Sequence, residues 1–160
     1  MRSENLEKII IATGLGQQRQ SSQFESSFLP EIMKELALIT GQKPVQCLAK
    51  QSIAGFKLRA GNLVGLRVTL RGKRMADFLY RMVNIALPRV RDFRGIDPKQ
   101  IDSEGNLTIG FRDHSVFPEI IPEESKHDFG FQVTLVSRVD NSRKAIEFFE
   151  GIGIPFMKKK

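Results

Sequence analysis

The sequence is poor in the residues that most often carry metal and redox chemistry. Its 160 residues include one cysteine, two histidines and no tryptophan. A single cysteine excludes an internal disulfide framework, and so few thiols and imidazoles leave no plausible Cys/His zinc site. We therefore expect no metal and no cofactor. With 41% hydrophobic residues, the chain has enough apolar material to be held together by a core alone.

Long hydrophobic runs are also absent. The longest near the N-terminus, Ile9-Ile10-Ile11-Ala12, has the length of a strand, whereas a membrane-spanning helix needs about 20 apolar residues. Glu4 and Glu7 argue against a basic, acid-poor transit peptide, and no signal-peptide core follows Arg2. We expect no membrane partner and a cytoplasmic protein.

Acidic residues are scarce in the middle third of the chain. From Lys43 to Arg94 there are twelve basic residues and two acidic ones, Asp77 and Asp92, so this segment carries +10 while the whole chain carries +7. A field this strong and of one sign indicates a polyanionic partner, either nucleic acid or anionic lipid.

Hydrophobic periodicity predicts one α+β domain over residues 1–160. The expected order is β-α-β-β-α-β-β-α, which contains the split βαβ pattern of ferredoxin-like and RRM-like folds, an antiparallel sheet with helices on one face. Strands are predicted at Leu6–Thr13, Val45–Ala49, Leu66–Arg71, Asn106–Arg112 and Phe131–Arg138, and helices at Pro30–Gly41, from Gly72 to Pro88 and at Asn141–Gly151.

Alternation within the strands predicts what each sheet face carries. Leu66, Val68 and Leu70 should point to the helices, which leaves Arg67, Thr69 and Arg71 on the open side. Arg and Thr on an uncovered face suit contacts to phosphates and 2′-hydroxyls. The glycine-containing stretch from Ser52 to Asn62 is too long for a tight turn and predicts an extended hairpin tip.

No motif predicts an active site. Gly14-x-Gly16 follows a strand, but the third glycine of a dinucleotide fingerprint is absent. The alternation around Cys47 predicts a buried core thiol, and the polar contexts of His114 and His127 predict surface residues.

Arginine offers better evidence of function than the acidic residues do. Asp97, Asp102 and Glu104 lie among Gly, Ser and Asn, which is typical of an ordinary acidic loop rather than a magnesium site. A planar guanidinium, in contrast, can grip phosphate in two places and stack on bases. The arginines with this potential are Arg59, Arg71, Arg89, Arg91 and Arg94.

Several collinear motifs resemble large-subunit ribosomal protein five, the bacterial-type family that binds 5S rRNA. They are Gly41-Gln42-Lys43-Pro44, Ser52-Ile53-Ala54-Gly55-Phe56-Lys57-Leu58-Arg59, Val68-Thr69-Leu70-Arg71-Gly72, Ile85-Ala86-Leu87-Pro88-Arg89-Val90-Arg91-Asp92-Phe93-Arg94-Gly95 and Phe117-Pro118-Glu119-Ile120. The similarity runs in order from about Leu6 to Phe156.

The resemblance implies a structural constituent of the large ribosomal subunit, located in the central protuberance, with no catalysis. Its partners would be 5S rRNA, 23S-type rRNA, peptidyl-site tRNA and a small-subunit head protein across an intersubunit bridge. Together with the charge pattern, it assigns rRNA contacts to Gly14, Gln42, Lys43, Arg67, Thr69, Arg71, Lys73, Arg74, Arg89, Arg91 and Arg94. The tRNA contacts would be Ser52, Gly55, Phe56, Lys57 and Arg59 at the hairpin tip.

Two departures from the family pattern stand out. Ala12 replaces a usual asparagine, which removes one polar RNA contact, and the chain starts almost at the first strand, without the N-terminal helical segment of typical members. The expected location is the ribosome of a bacterium, with an organellar ribosome as the alternative. A free-standing RNA-processing enzyme or regulator using the same basic sheet is the alternative function.

Overall fold

A computed structural model describes residues 5–15, 27–50 and 63–158. The strands are β1 (Leu6–Gly14), β2 (Val45–Leu48), β3 (Leu63–Leu70), β4 (Leu107–Phe111) and β5 (Phe131–Ser137). The helices are α1 (Leu29–Thr40), α2 (Gly72–Arg81), the short turn α3 (Leu87–Arg89) and α4 (Ser142–Gly151). Every strand and helix predicted in the described ranges is present, and the α+β class is confirmed.

The strands form one antiparallel sheet with the order β2-β3-β1-β5-β4. The N-terminal strand lies at the centre, where Ile10 pairs with Thr69 of β3 on one side and with Thr134 of β5 on the other. Since side chains directly opposite each other share a face, this register fixes which residues of neighbouring strands lie together.

One hydrophobic core lies between the sheet and the helices. Leu66, Val68 and Leu70 are all buried, as alternation predicts, while Arg67 and Thr69 between them are exposed. The helices contribute their own apolar stripes, such as Ile32, Leu36 and Ile39 of α1, Met75, Phe78 and Leu79 of α2, and Ala145 and Phe149 of α4. The other face of the sheet carries no helix among the described residues.

The second helix widens before it ends. A π-helical turn, Met82–Ala86, separates α2 from α3, and the Leu87 N–H donates to the carbonyl of Met82. Pro88 follows directly; it has no N–H to donate, and its ring would clash with the carbonyl four residues earlier in a regular α-helix. The wider turn relieves that clash, so the helix continues to Arg89.

Both histidine predictions need correction. His114 is completely buried: its ring stacks on Phe129 with centroids 4.2 Å apart, and its Nε2 is 2.7 Å from Glu35 Oε2. His127 is half-buried against Phe28, with Nε2 3.3 Å from Glu31 Oε2. Their loops are polar in sequence, but tertiary packing folds those loops over α1, which the local pattern does not reveal.

The prediction of a core thiol at Cys47 is wrong, because β2 is an edge strand. Cys47 is half-buried, while Val45 and Leu48 are 62% and 55% exposed. The edge strand β2 leaves the core to the other strands, and on α2 the side chain of Arg81 pairs with Glu119 and donates to the carbonyl of Ile39.

The carboxylates of the acidic loop cap turns. Asp97 accepts from the Lys99 N–H, and Asp102 accepts from the N–H groups of Glu104 and Asn106, each at 2.9 Å. This agrees with their interpretation as ordinary loop residues. The predicted hairpin tip, Ser52 to Asn62, lies outside the described residues.

Candidate nucleic-acid interface

Several residues on the open face of the sheet are small. Ala12, Gly14, Gly65 and Gly110 provide little or no side chain, and the hydroxyls of Thr108 and Thr134 lie 3.3 Å apart across β4 and β5. A broad surface of this kind can lie against the backbone of a folded RNA.

Basic and polar residues gather at one end of this face. The β2–β3 register pairs Val45 with Arg67, so it brings Gln42 and Lys43, in the turn before β2, toward Thr69 and Arg71. The turn is fixed by Gly41, the left-handed cap of α1, and by the Gln42 N–H, which donates to Thr40 Oγ1 at 3.2 Å.

Lys73 and Arg74 extend this basic end. They lie exposed in the first turn of α2, directly after Gly72, whose φ of 63° turns the chain from β3 into the helix. The N-terminal turn of a helix also presents unpaired N–H groups, which favour a phosphate nearby. This end of the sheet therefore offers cations, hydroxyls and amides together.

The opposite end of the face contains a shallow depression of about 470 Å³ around the end of β1. Its lining includes Gly14, Gly110, Gly130, Arg112 and Gln132. A Cβ added at Gly14 or at Gly110 would meet no atom within 4 Å. The space above these glycines is therefore open to a ligand.

A second groove of about 780 Å³ continues from this depression. It runs between the arginine-rich turn after α3 and the end of β4. Gly110, Phe111 and Arg112 line both the depression and this groove. Arg89, Arg91 and Arg112 line it, so three arginines border one groove. Asp113 also lines it: partial burial pushes the pKa of Asp113 upward, but hydrogen bonds from Ser115 and the charge of His114 outweigh this and lower it.

The cations of the basic segment are largely unpaired. Between Lys43 and Arg94 the structure describes ten basic residues; Arg81 is bound to Glu119, and the other nine are exposed and form no ion pair with a described residue. These nine are Lys43, Lys50, Arg67, Arg71, Lys73, Arg74, Arg89, Arg91 and Arg94. A positive field that is not neutralised within the chain is available to a polyanion.

The predicted rRNA residues fall into two groups on this surface. Gln42, Lys43, Arg67, Thr69, Arg71, Lys73 and Arg74 lie at the first end. Gly14 belongs to the second group. It is four residues, or about 13 Å, further along β1 than Ile10, the partner of Thr69. It lies in the depression, and Arg89 and Arg91 border the adjoining groove. Arg94 is exposed but does not line that groove.

Sequence reasoning did not select Arg112, Gly110 and Gln132, which line the depression. Alternation in β4 does put Thr108 and Arg112 on the open side, but only the pairing of β4 with β5 brings Gly110 next to Gln132. The predicted tRNA residues, Ser52, Gly55, Phe56, Lys57 and Arg59, lie outside the described part of the chain. None of the helices in the described part has both the length and the apolar character that a bilayer crossing requires.

Two family models match the sequence. Residues 63–156 match the model for the C-terminus of the ribosomal L5 family, and residues 1–59 match the model for ribosomal protein L5. The two matches follow one another without overlap, and together they cover most of the chain.

Individual relatives extend the same similarity. The chain is 44% identical over 158 residues to the large ribosomal subunit protein uL5 of Mycoplasma pneumoniae, which covers 99% of this chain and 86% of the relative. It is 40% identical over 156 residues to uL5 of Halothermothrix orenii, covering 98% and 85%. For uL5 of Lacticaseibacillus casei the identity is 42%, covering 99% and 86%.

Proposed function

This chain belongs to the ribosomal protein L5 family, and we propose that it binds 5S rRNA through the open face of its sheet. As a member of this family it is a structural protein of the large ribosomal subunit and not an enzyme. Family membership therefore removes the alternative of a free-standing RNA-processing enzyme. The observation that carries the proposal is the set of nine cations between Lys43 and Arg94 that are exposed and form no ion pair within the described part of the chain.

The basic end of the face supplies the anchoring contacts. Thr69 is exposed, and its hydroxyl has no hydrogen-bond partner among the described residues, so it can donate to or accept from RNA. Arg67 and Arg71 lie two residues to either side, where their guanidinium groups can grip phosphates in a bidentate manner. Gln42 and Lys43 complete this group from the neighbouring turn.

The glycine depression and its adjoining groove supply the second part of the interface. A phosphate backbone can approach the main chain closely above Gly14 and Gly110, where no side chain intervenes. Arg89, Arg91 and Arg112 lie beside it to neutralise phosphates. Arg94, exposed near the same turn, extends the basic surface toward 23S-type rRNA.

The remaining partners rest on family resemblance. We propose that Ser52, Gly55, Phe56, Lys57 and Arg59, in the segment between β2 and β3, contact peptidyl-site tRNA, and that the protein joins a bridge to a small-subunit head protein. The charge supports the tRNA contact: Lys57 and Arg59 add two cations to a segment of 12 residues, 51–62, that contains no acidic residue.

A substitution at Thr69 tests the 5S rRNA interface. Thr69→Leu removes a hydroxyl and leaves an RNA polar group unpaired, which should weaken 5S rRNA binding by about 1–3 kcal/mol in a filter-binding titration. Thr69→Ser is the matched control: it keeps the hydroxyl and should bind within about 0.5 kcal/mol of the parent chain.

Both variants should fold with the stability of the parent chain, because Thr69 is exposed. If Thr69→Leu binds 5S rRNA as tightly as the parent chain, the anchor does not lie at this end of the sheet.

A further inference from the structure

A buried histidine lies between two exposed aspartates beside the end of β4. The ligand atoms of Asp113, His114 and Asp128 all lie within 4.8 Å of one another, and His114 Nδ1 is 3.9 Å from Asp113 Oδ1. We propose that these three residues form a binding site for one divalent transition-metal ion, with Zn²⁺ as the first candidate.

The hydrogen bonds of the ring determine which nitrogen is free. His114 Nε2 is 3.1 Å from Ser125 Oγ, and this hydroxyl donates its single hydrogen to the carbonyl of His127 at 3.3 Å. Glu35 Oε2 lies 2.7 Å from the same nitrogen, and a carboxylate oxygen can only accept. This contact assigns the ring proton to Nε2.

The other nitrogen, Nδ1, has no hydrogen-bond partner among the described residues, although it is buried. In the neutral ring Nδ1 is a bare lone pair 3.9 Å from Asp113 Oδ1, and in the protonated ring it is an N–H without an acceptor, since that distance is too long for a hydrogen bond. A cation held by Nδ1 and both carboxylates satisfies all three groups. This orphaned nitrogen is independent evidence for a ligand.

The surroundings of the ring fit a metal ligand. Phe129 stacks on His114 with an interplanar angle of 24°, which fixes the direction of the Nδ1 lone pair. A metal-bound histidine typically donates its other N–H to a neighbouring oxygen, and here Ser125 and Glu35 surround Nε2. One imidazole and two carboxylates suit zinc, with water in a fourth position.

The spacing of the ligands is wider than an occupied site requires. Donor atoms around tetrahedral zinc are about 3.3 Å apart, against 3.9 Å between Nδ1 and Asp113 Oδ1 and up to 4.8 Å within the cluster. Because Asp113 and Asp128 are exposed, their carboxylates can rotate inward without disturbing the core. The ion would join the turn at His114–Val116 to the segment before β5, and through Glu35 to α1.

Zinc titration of the full chain by calorimetry, after treatment with a chelator, tests the site. The parent chain should bind one Zn²⁺, and its Tm should rise by about 5–10 °C at a hundredfold excess of free Zn²⁺ over Kd. Asp128→Asn and Asp113→Asn should each bind at least about tenfold more weakly and lose most of the rise. Asn at position 113 can still accept from the Ser115 N–H, so the turn keeps its cap.

Asp97→Asn is the matched control. Asp97 caps a three-residue helix in the same way, by accepting from the Lys99 N–H at 2.9 Å, but it lies outside the cluster. This variant should bind zinc like the parent chain. Absence of one-to-one binding would overturn the proposal, and so would zinc binding that Asp113→Asn and Asp128→Asn leave unchanged, which would place the ion on other residues.

Discussion

At the scale of single residues, Gly95 is a position that only glycine can occupy without strain. Its φ is 113°, and a Cβ there would lie 2.7 Å from the Met157 nitrogen and 2.8 Å from the Phe156 carbonyl carbon. The close approach lets Ile96 donate to the carbonyl of Pro155 and accept from the Met157 N–H. The arginine-rich turn is thereby tied to the C-terminal segment.

Gly95→Ala should lower the free energy of unfolding by about 2–4 kcal/mol, because a left-handed backbone and a clash with main-chain atoms add together. Urea denaturation followed by circular dichroism measures this. Gly110→Ala is the control: its Cβ would meet nothing within 4 Å, so its stability should change by less than about 1 kcal/mol. Equal effects of the two substitutions would mean that the turn at Gly95 accommodates a Cβ with little loss of stability.

At the scale of elements, helix and strand ends coincide with residues that mark them in the sequence. Gly41 caps α1 with a φ of 75°, and Asn141 caps α4 by accepting from the Arg143 N–H. The proposed contacts fall on two elements. Strand residues such as Thr69 are fixed by the core and are assigned the anchoring role, while the segment between β2 and β3 is assigned the tRNA contact.

The same division predicts that anchoring and tRNA contact can be separated by mutation. Lys57→Ala combined with Arg59→Ala should leave 5S rRNA affinity within about 0.5 kcal/mol. It should weaken peptidyl-site tRNA binding to assembled ribosomes by about 1–3 kcal/mol, since two charge-assisted hydrogen bonds are lost. Filter binding measures both affinities.

A control pair removes the same charge from the sheet. Arg67→Ala combined with Arg71→Ala should weaken 5S rRNA binding, because both arginines are exposed at the basic end. If the Lys57 and Arg59 pair weakens 5S rRNA binding while tRNA binding stays intact, the roles of the two elements are reversed.

At the scale of the whole molecule, charge is distributed unevenly along the sequence. The segment from Lys43 to Arg94 carries +10, while the rest of the chain carries a net −3. Part of that negative charge surrounds the buried His114, where Glu35, Asp113 and Asp128 lie. The molecule therefore combines a basic surface with a local acidic cluster.

This charge distribution predicts a strong dependence of 5S rRNA binding on salt. If the basic segment neutralises about six to ten phosphates, log K should fall with log salt at a slope between about −4 and −9. Titrations between about 50 and 200 mM salt measure the slope, and Arg71→Ala should reduce its magnitude by about one. A slope near zero would contradict an electrostatic interface.

The elements, their faces and the basic segment could all be predicted from the chain alone, because they depend on periodicity, caps and charge, which are local. Leu66, Val68 and Leu70 alternate with Arg67 and Thr69 in the chain as they do in space. The family resemblance likewise rests on collinear motifs.

Which distant residues meet depends on the packing of one element on another. Strand order placed Cys47 at an edge, and the pairing of β4 with β5 joined Gly110 and Arg112 to the depression at Gly14. His114 and Asp128 are 14 residues apart, and α1, which contributes Glu35, comes from a third region. No periodicity along the chain encodes such contacts, because each one joins segments whose local patterns are independent of one another.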